Sequence, residues 1–70
     1  MGATLEKIYQ VVTNKAGFKG RMRLAVRTGV SRIRATQMED TSEIVTKFKE
    51  AADEIVGQDI DQFLGGGENV

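Results

Sequence analysis

The sequence contains neither cysteine nor histidine. Without these residues the chain cannot build a Ser-His-Asp or Cys-His constellation, a thiolate nucleophile or an imidazole metal ligand. It also has no disulfide, and the absence of cysteine is typical of a reducing compartment. We therefore expect a cytoplasmic protein that is not an enzyme and uses no metal, no cofactor and no small-molecule substrate.

Long apolar runs are missing as well. No segment approaches the roughly 20 apolar residues that a membrane-spanning helix requires, and the first residues do not resemble a secretory signal. Trp is absent, and Phe18 is the only aromatic residue interleaved with the arginines. A basic helix that inserts into a membrane surface usually has more aromatic anchors. These absences predict that a membrane is not the partner of the chain.

The 70 residues are enough for one domain, for which we expect a helical part, 1–64, and a flexible glycine-rich tail, 65–70. A chain this short buries only about 60% of the surface that its unfolded form exposes. Its apolar fraction is 40%, and no disulfide or zinc site adds stability. Self-association into a two-fold homodimer would bury more apolar surface, so we expect a homo-oligomer.

The net charge is zero, but the charges are divided along the chain. Between residues 7 and 34, the basic half, there are eight basic residues and no acidic one. From residue 35 onward, the acidic half, nine acidic residues are opposed only by Lys47 and Lys49. Three of these acids, Glu50, Asp53 and Glu54, share a helical face that we expect to be solvated. The two halves are therefore electrostatic opposites.

Apolar residues recur at helical spacing and predict an all-α domain of three to four helices without strands. The main helices are expected near residues 4–15, 20–37 and 41–56, with a loop at 16–20. Two interpretations remain open for the middle helix. It either continues through Gly29, or it divides into two helices that meet in a tight turn.

Side chains with an oxygen that can accept a hydrogen bond lie at the starts of the predicted helices. Thr4 and Asp40 are the expected N-caps of the first and third helices, and Asp59 is expected to cap a last short turn. In a continuous middle helix, Met22, Val26, Val30 and Ile33 would form one buried stripe. The predicted core consists of Leu5, Ile8, Val12, Leu24, Val26, Ile44, Phe48 and Ile55.

Leu24-Ala25 followed by Gly29-Val30-Ser31, with Met38 further on, resembles the helix-turn-helix of bacterial DNA-binding proteins over residues 21–40. In that family a small residue lets two helices cross, and a glycine four residues later makes the turn. The resemblance implies that Thr28 and Ala35 occupy buried positions and that Ile33 points outward. It also implies a second helix in the DNA major groove, with these residues facing the bases: Ser31, Arg32, Arg34, Thr36 and Gln37.

A fainter similarity links Gly17-Phe18-Lys19-Gly20 to the helix-hairpin-helix, which grips one phosphate backbone, although one residue too many separates the two glycines. Either resemblance implies a basic face on phosphate. We therefore expect a helical nucleic-acid-binding or regulatory module. The alternative is a protein-interaction or assembly module whose basic and acidic faces pair between chains. The expected nucleic-acid contacts are Lys19, Arg21, Arg23, Arg27, Ser31, Arg32, Arg34 and Gln37.

Overall fold

The computed structural model describes residues 3–64. These residues form the helices α1 (Ala3–Thr28), α2 (Arg32–Gln37), α3 (Ser42–Val56) and α4 (Asp61–Leu64). No strand occurs within this range, and the all-α prediction is confirmed. The predicted flexible tail, 65–70, lies outside the described residues.

A sharp kink at Gly17 divides α1 into a first segment, 3–16, and a second segment, 18–28. The backbone of Gly17 has φ 74° and ψ −170°, a combination that essentially only glycine adopts. A straight helix of 26 residues would be about 39 Å long, whereas the longest dimension of the molecule is 31 Å. The predicted loop at 16–20 is therefore wrong, because a single glycine makes the bend and its neighbours stay helical.

The first segment of α1 buries one continuous face. Leu5, Ile8, Tyr9 and Val12 follow the one-turn spacing of an amphipathic helix, and each is at most 1% exposed. α1 packs mainly against α3, where the ring of Phe48 meets that of Tyr9 edge-on at a centroid distance of 5.9 Å. The predicted core is confirmed in this part of the fold.

The second segment of α1 buries a different face from the one that the sequence predicts. Its buried positions are Gly20, Leu24 and Thr28, four residues apart, whereas Val26 is 80% exposed and Met22 is 56% exposed. The buried Thr28 hydroxyl donates to the Leu24 carbonyl at 2.8 Å, so it is satisfied within its own helix. The assignment of Val26 to the core, and with it the stripe through Met22, is wrong.

The middle of the chain forms two helices. α1 ends at Thr28, Gly29 has φ 74°, and the side chain of Ser31 accepts a hydrogen bond from the Arg34 amide at 3.3 Å. Ser31 is therefore the N-cap of α2. Of the two interpretations of this region, the tight turn is confirmed. Ala35 is the buried residue of α2 and is fully inaccessible.

The N-cap of α3 is Thr41, whose hydroxyl accepts from the Ile44 amide at 3.3 Å. The prediction that Asp40 caps this helix is wrong by one residue, because the Asp40 carboxylate instead accepts from the amide of Thr4 at 3.1 Å. Thr4 is not an N-cap either, since α1 already begins at Ala3. Asp40 thus satisfies a first-turn amide of α1 from across the fold.

α4 closes the end of the bundle. The Asp59 side chain accepts from the amide of Asp61, the first residue of α4, at 3.0 Å, although Ile60 and not Asp59 directly precedes the helix. The Asp53 side chain accepts from the Ile60 amide at 2.7 Å, so this carboxylate is not part of a solvated face as expected. The predicted core residues Ile44 and Ile55 are partly buried. The core also contains buried residues that were not among the eight predicted core residues: Tyr9, Ala35, Ala51, Ala52, Ile60 and Leu64.

Candidate nucleic-acid interface

The residues predicted to bind nucleic acid are distributed over more than one surface. Arg21 and Arg32 line a polar cleft, whereas Arg23 and Arg27 line a separate apolar groove. Ser31, Arg34 and Gln37 are exposed on or beside α2, and Lys19 is exposed on the second segment of α1. The basic residues therefore do not form a single continuous face.

The polar cleft lies where both segments of α1 meet α2. It has a volume of about 370 Å³ and is lined by Tyr9, Gln10, Thr13, Asn14, Arg21 and Arg32. Arg21 and Arg32 are 11 residues apart in the sequence and reach the cleft from different helices. Amide and guanidinium groups around one cavity offer several hydrogen-bond donors to an anion.

Each arginine of the cleft is held by one neighbour. The guanidinium carbon of Arg21 lies 5.4 Å from the ring centroid of Phe18, within the range of a cation–π contact. Arg32 forms an ion pair with Glu6, with 3.3 Å between Nη2 and Oε2. Both partners of this pair are more than one third exposed, so solvent screens the attraction. Two guanidiniums and one carboxylate leave a net positive charge around the cleft.

Tyr9 forms the inner wall of the cleft. Its hydroxyl donates to the carbonyl oxygen of Val30 in the turn before α2. Burial raises the pKa of the Tyr9 phenol above its ordinary value, while the nearby Thr28 hydroxyl and the charge of Arg21 act in the opposite direction. The phenol is therefore neutral at physiological pH and connects the first segment of α1 to the turn.

The apolar groove lies between the second segment of α1 and the end of α3. It has a volume of about 380 Å³, and its walls are Met22, Arg23, Val26, Arg27, Glu54 and Ile55. Arg27 forms an ion pair with Glu54. This pair joins the basic and the acidic halves within one chain, so part of the charge division is neutralised inside the domain.

Two polar residues of α2 have structural partners. Ser31 caps the helix, and the Thr36 hydroxyl donates to the Ile33 carbonyl at 2.6 Å. Ile33 itself is 69% exposed. Within residues 3–64, Lys19, Arg23 and Arg34 have no carboxylate within ion-pair distance. These three cations remain available to a ligand.

The sequence prediction missed the polar side of the cleft. Gln10, Thr13 and Asn14 share one face of the first segment of α1, at spacings of three and four residues. This polar spacing is visible in the sequence. Their position opposite Arg21 is not, because it depends on the bend at Gly17.

Residues 3–64 contain no group of three or more acidic side chains placed to hold a metal ion. No helix in this range has the length and apolar character needed to cross a membrane. No family model matches the chain, and neither a curated protein nor a solved structure matches it significantly.

Proposed function

We propose that this protein binds a nucleic-acid backbone and holds a phosphate in the polar cleft between Arg21 and Arg32. The observation that carries the proposal is the convergence of these two guanidiniums with the side-chain amides of Gln10 and Asn14. Guanidinium groups donate paired hydrogen bonds to phosphate oxygens and keep their charge at every physiological pH. An uncharged small ligand would gain little from such a cleft.

The proposal includes the resemblance of residues 21–40 to a helix-turn-helix. Leu24, Thr28 and Ala35 are buried, while Val30 and Met38 are partly buried and pack against the core. α2 has only six residues and is about 9 Å long, so it presents few side chains to a groove. We therefore assign most of the binding energy to phosphate contacts and little to base recognition.

The test compares two double variants that remove the same charge. Arg21→Ala with Arg32→Ala removes both cleft cations, whereas Lys15→Ala with Lys47→Ala removes two cations outside the cleft. Binding to duplex and single-stranded DNA is measured by fluorescence anisotropy over a range of salt. We expect the cleft variant to lower the salt slope by about two units and the control variant to change it much less. Equal losses in both variants would contradict a defined phosphate site.

A gain-of-binding variant makes the test independent of folding defects. Glu6 competes with a phosphate for Arg32, because its carboxylate lies 3.3 Å from the guanidinium. Glu6→Gln removes this negative charge and should increase the affinity for DNA several-fold at low salt. Asp61→Gln, which breaks the exposed ion pair with Lys49, is the matched control and should leave the affinity nearly unchanged. An unchanged or lower affinity of the Glu6 variant would count against the cleft.

The alternative function is assembly through protein contacts, in which basic and acidic faces pair between chains. It is supported by the exposed apolar side chains of Phe18, Met22, Val26 and Ile33. The two functions are separated by one measurement on the unaltered protein. If it binds neither duplex nor single-stranded DNA nor RNA at low salt, the assembly function replaces the nucleic-acid function.

A further inference from the structure

The second segment of α1 carries an apolar stripe on the side opposite the core. Phe18, Met22 and Val26 are four residues apart and are 64%, 56% and 80% exposed. Leu24, on the other side of the same helix, is fully buried. Scattered apolar residues are normal on protein surfaces, but a run at helical spacing forms a continuous face. Within residues 3–64 the ring of Phe18 contacts the guanidinium of Arg21, and most of this face is open to solvent.

Met22 and Val26 extend the stripe into the apolar groove, where Ile55 of α3 lies on the other side. The charged groups of the groove are Arg23, Arg27 and Glu54, and Glu54 is paired with Arg27. Arg23 has no ion-pair partner within the described residues. The groove therefore combines an apolar wall with an excess of positive charge.

We propose that this groove binds an acidic amphipathic helix of another protein. The apolar residues of that helix would contact Met22, Val26 and Ile55, and its carboxylates would pair with Arg23 and with Lys19 on the next turn. Amphipathic helices commonly bind in such grooves through apolar residues one turn apart. Charge complementarity at the edge accelerates association and selects acidic partners.

A second copy of this chain fits the groove less well. Two-fold pairing would bring two copies of the same surface together, and because this surface carries more cations than carboxylates the two copies would repel each other. The acidic helix of the chain, α3, cannot serve as the ligand because its apolar side is already used. Phe48 and Ala52 on that side are fully buried in the core.

A membrane surface also fits less well. A bilayer is flat and cannot enter a groove between two helices. The inference is independent of phosphate binding, because the polar cleft and the groove share no lining residue. Each function can therefore fail without the other.

The experiment uses the full chain with ¹³C-labelled methionine methyl groups and a designed peptide as the probe. The peptide has about 18 residues, is blocked at both ends, and carries leucine on one face and glutamate on the other. A second peptide has lysine in place of glutamate. Met22 reports on the groove, and Met38, beside α2, is the internal reference. We expect the acidic peptide to shift the Met22 signal in a saturable manner and to leave Met38 unchanged.

Two matched variants test the contact. Val26→Ser alters the groove, and Ile33→Ser removes another exposed apolar side chain from α2. Both positions are exposed, so circular dichroism should show intact folds. We expect the Val26 variant to bind the acidic peptide about tenfold more weakly and the Ile33 variant to bind it normally. Arg23→Glu should weaken the binding of the acidic peptide and strengthen the binding of the lysine peptide.

Several results would overturn the proposal. These are no shift of Met22 with the acidic peptide, equal responses to both peptides, or equal losses in the two serine variants. Vesicles of phosphatidylglycerol and phosphatidylcholine are added in a parallel titration, and binding to them without peptide binding would identify a membrane surface instead. A dimer in sedimentation that Val26→Ser dissociates would identify a second copy as the occupant.

Discussion

The backbone amide of Thr4 donates a hydrogen bond to the carboxylate of Asp40, 36 residues away in the sequence, at 3.1 Å. The first amides of a helix have no partner inside the helix, so Asp40 supplies the cap of α1 from the loop between α2 and α3. A negative charge at this position also interacts favourably with the helix dipole. One contact thus joins the start of the chain to its middle.

This contact predicts that Asp40→Ala destabilises the fold by about 1 kcal/mol, the usual cost of losing a helix cap. Asp40→Asn keeps an oxygen acceptor, so its free energy of unfolding should fall clearly less. Urea denaturation followed by circular dichroism measures both free energies of unfolding. Equal destabilisation by the two variants would show that the charge, and not the hydrogen bond, is what matters.

The bend in α1 depends on two glycines in different ways. Gly17 has a positive φ, and a side chain there would strain the backbone by about 1–3 kcal/mol. Gly20 is buried, and a Cβ at this position would overlap the Cβ of Ala16 and lie 3.3 Å from Ile55 Cγ2. Both groups are attached closely to helix backbone, so neither can move away freely.

We therefore expect Gly17→Ala and Gly20→Ala each to destabilise the protein by about 1–3 kcal/mol, although alanine is the better helix former. Lys19→Ala, between them and exposed, should change the stability by less than about 0.5 kcal/mol. Thermal unfolding of the three variants checks this. A more stable Gly20 variant would show that the two segments of α1 do not approach closely in solution.

Phe48 is the central aromatic residue of the core and is fully buried against Tyr9. Phe48→Ala should cost about 3–5 kcal/mol, which is comparable to the whole stability of many domains of this size. Val26→Ala is the matched control, because Val26 is 80% exposed and its truncation should cost less than about 0.5 kcal/mol. Similar melting temperatures for the Phe48 variant and the unaltered protein would remove this residue from the core.

The contrast between the two segments of α1 shows which parts of the fold are predictable. Leu5, Ile8 and Val12 lie on the only apolar face of the first segment, so periodicity alone identifies their burial. In the second segment the most apolar stripe, through Met22 and Val26, faces outward. Periodicity identifies an apolar face but not its direction, which the bend at Gly17 sets.

The sequence predicts which residues contribute to the candidate site but not how they are arranged in space. The charge division of the sequence and its resemblance to a helix-turn-helix indicate Arg21 and Arg32, together with six other residues, as contacts of an anionic ligand. Their convergence with Gln10 and Asn14 depends on the bend at Gly17 and the turn at Gly29. Local sequence identifies these glycines as breaks, but the angles between the helices follow from packing of the whole chain.

Tyr9 makes the stability of the protein depend on pH at the alkaline end. Its pKa is raised in the folded state, chiefly by burial, so the unfolded chain releases the phenolic proton at lower pH than the folded protein. The stabilisation of the neutral phenol is complete below the ordinary pKa of 10.0 and is lost as pH rises through the folded pKa.

Tyr9 is the only tyrosine and Trp is absent, so ultraviolet absorbance follows its ionisation alone. We expect ionisation to begin above pH 10.0 and to accompany unfolding. Tyr9→Phe should lose about 1 kcal/mol at neutral pH with the hydrogen bond to Val30, and its stability should fall less steeply above pH 10.0. Ionisation at the ordinary pKa without any loss of helix would mean that the phenol is not buried in solution.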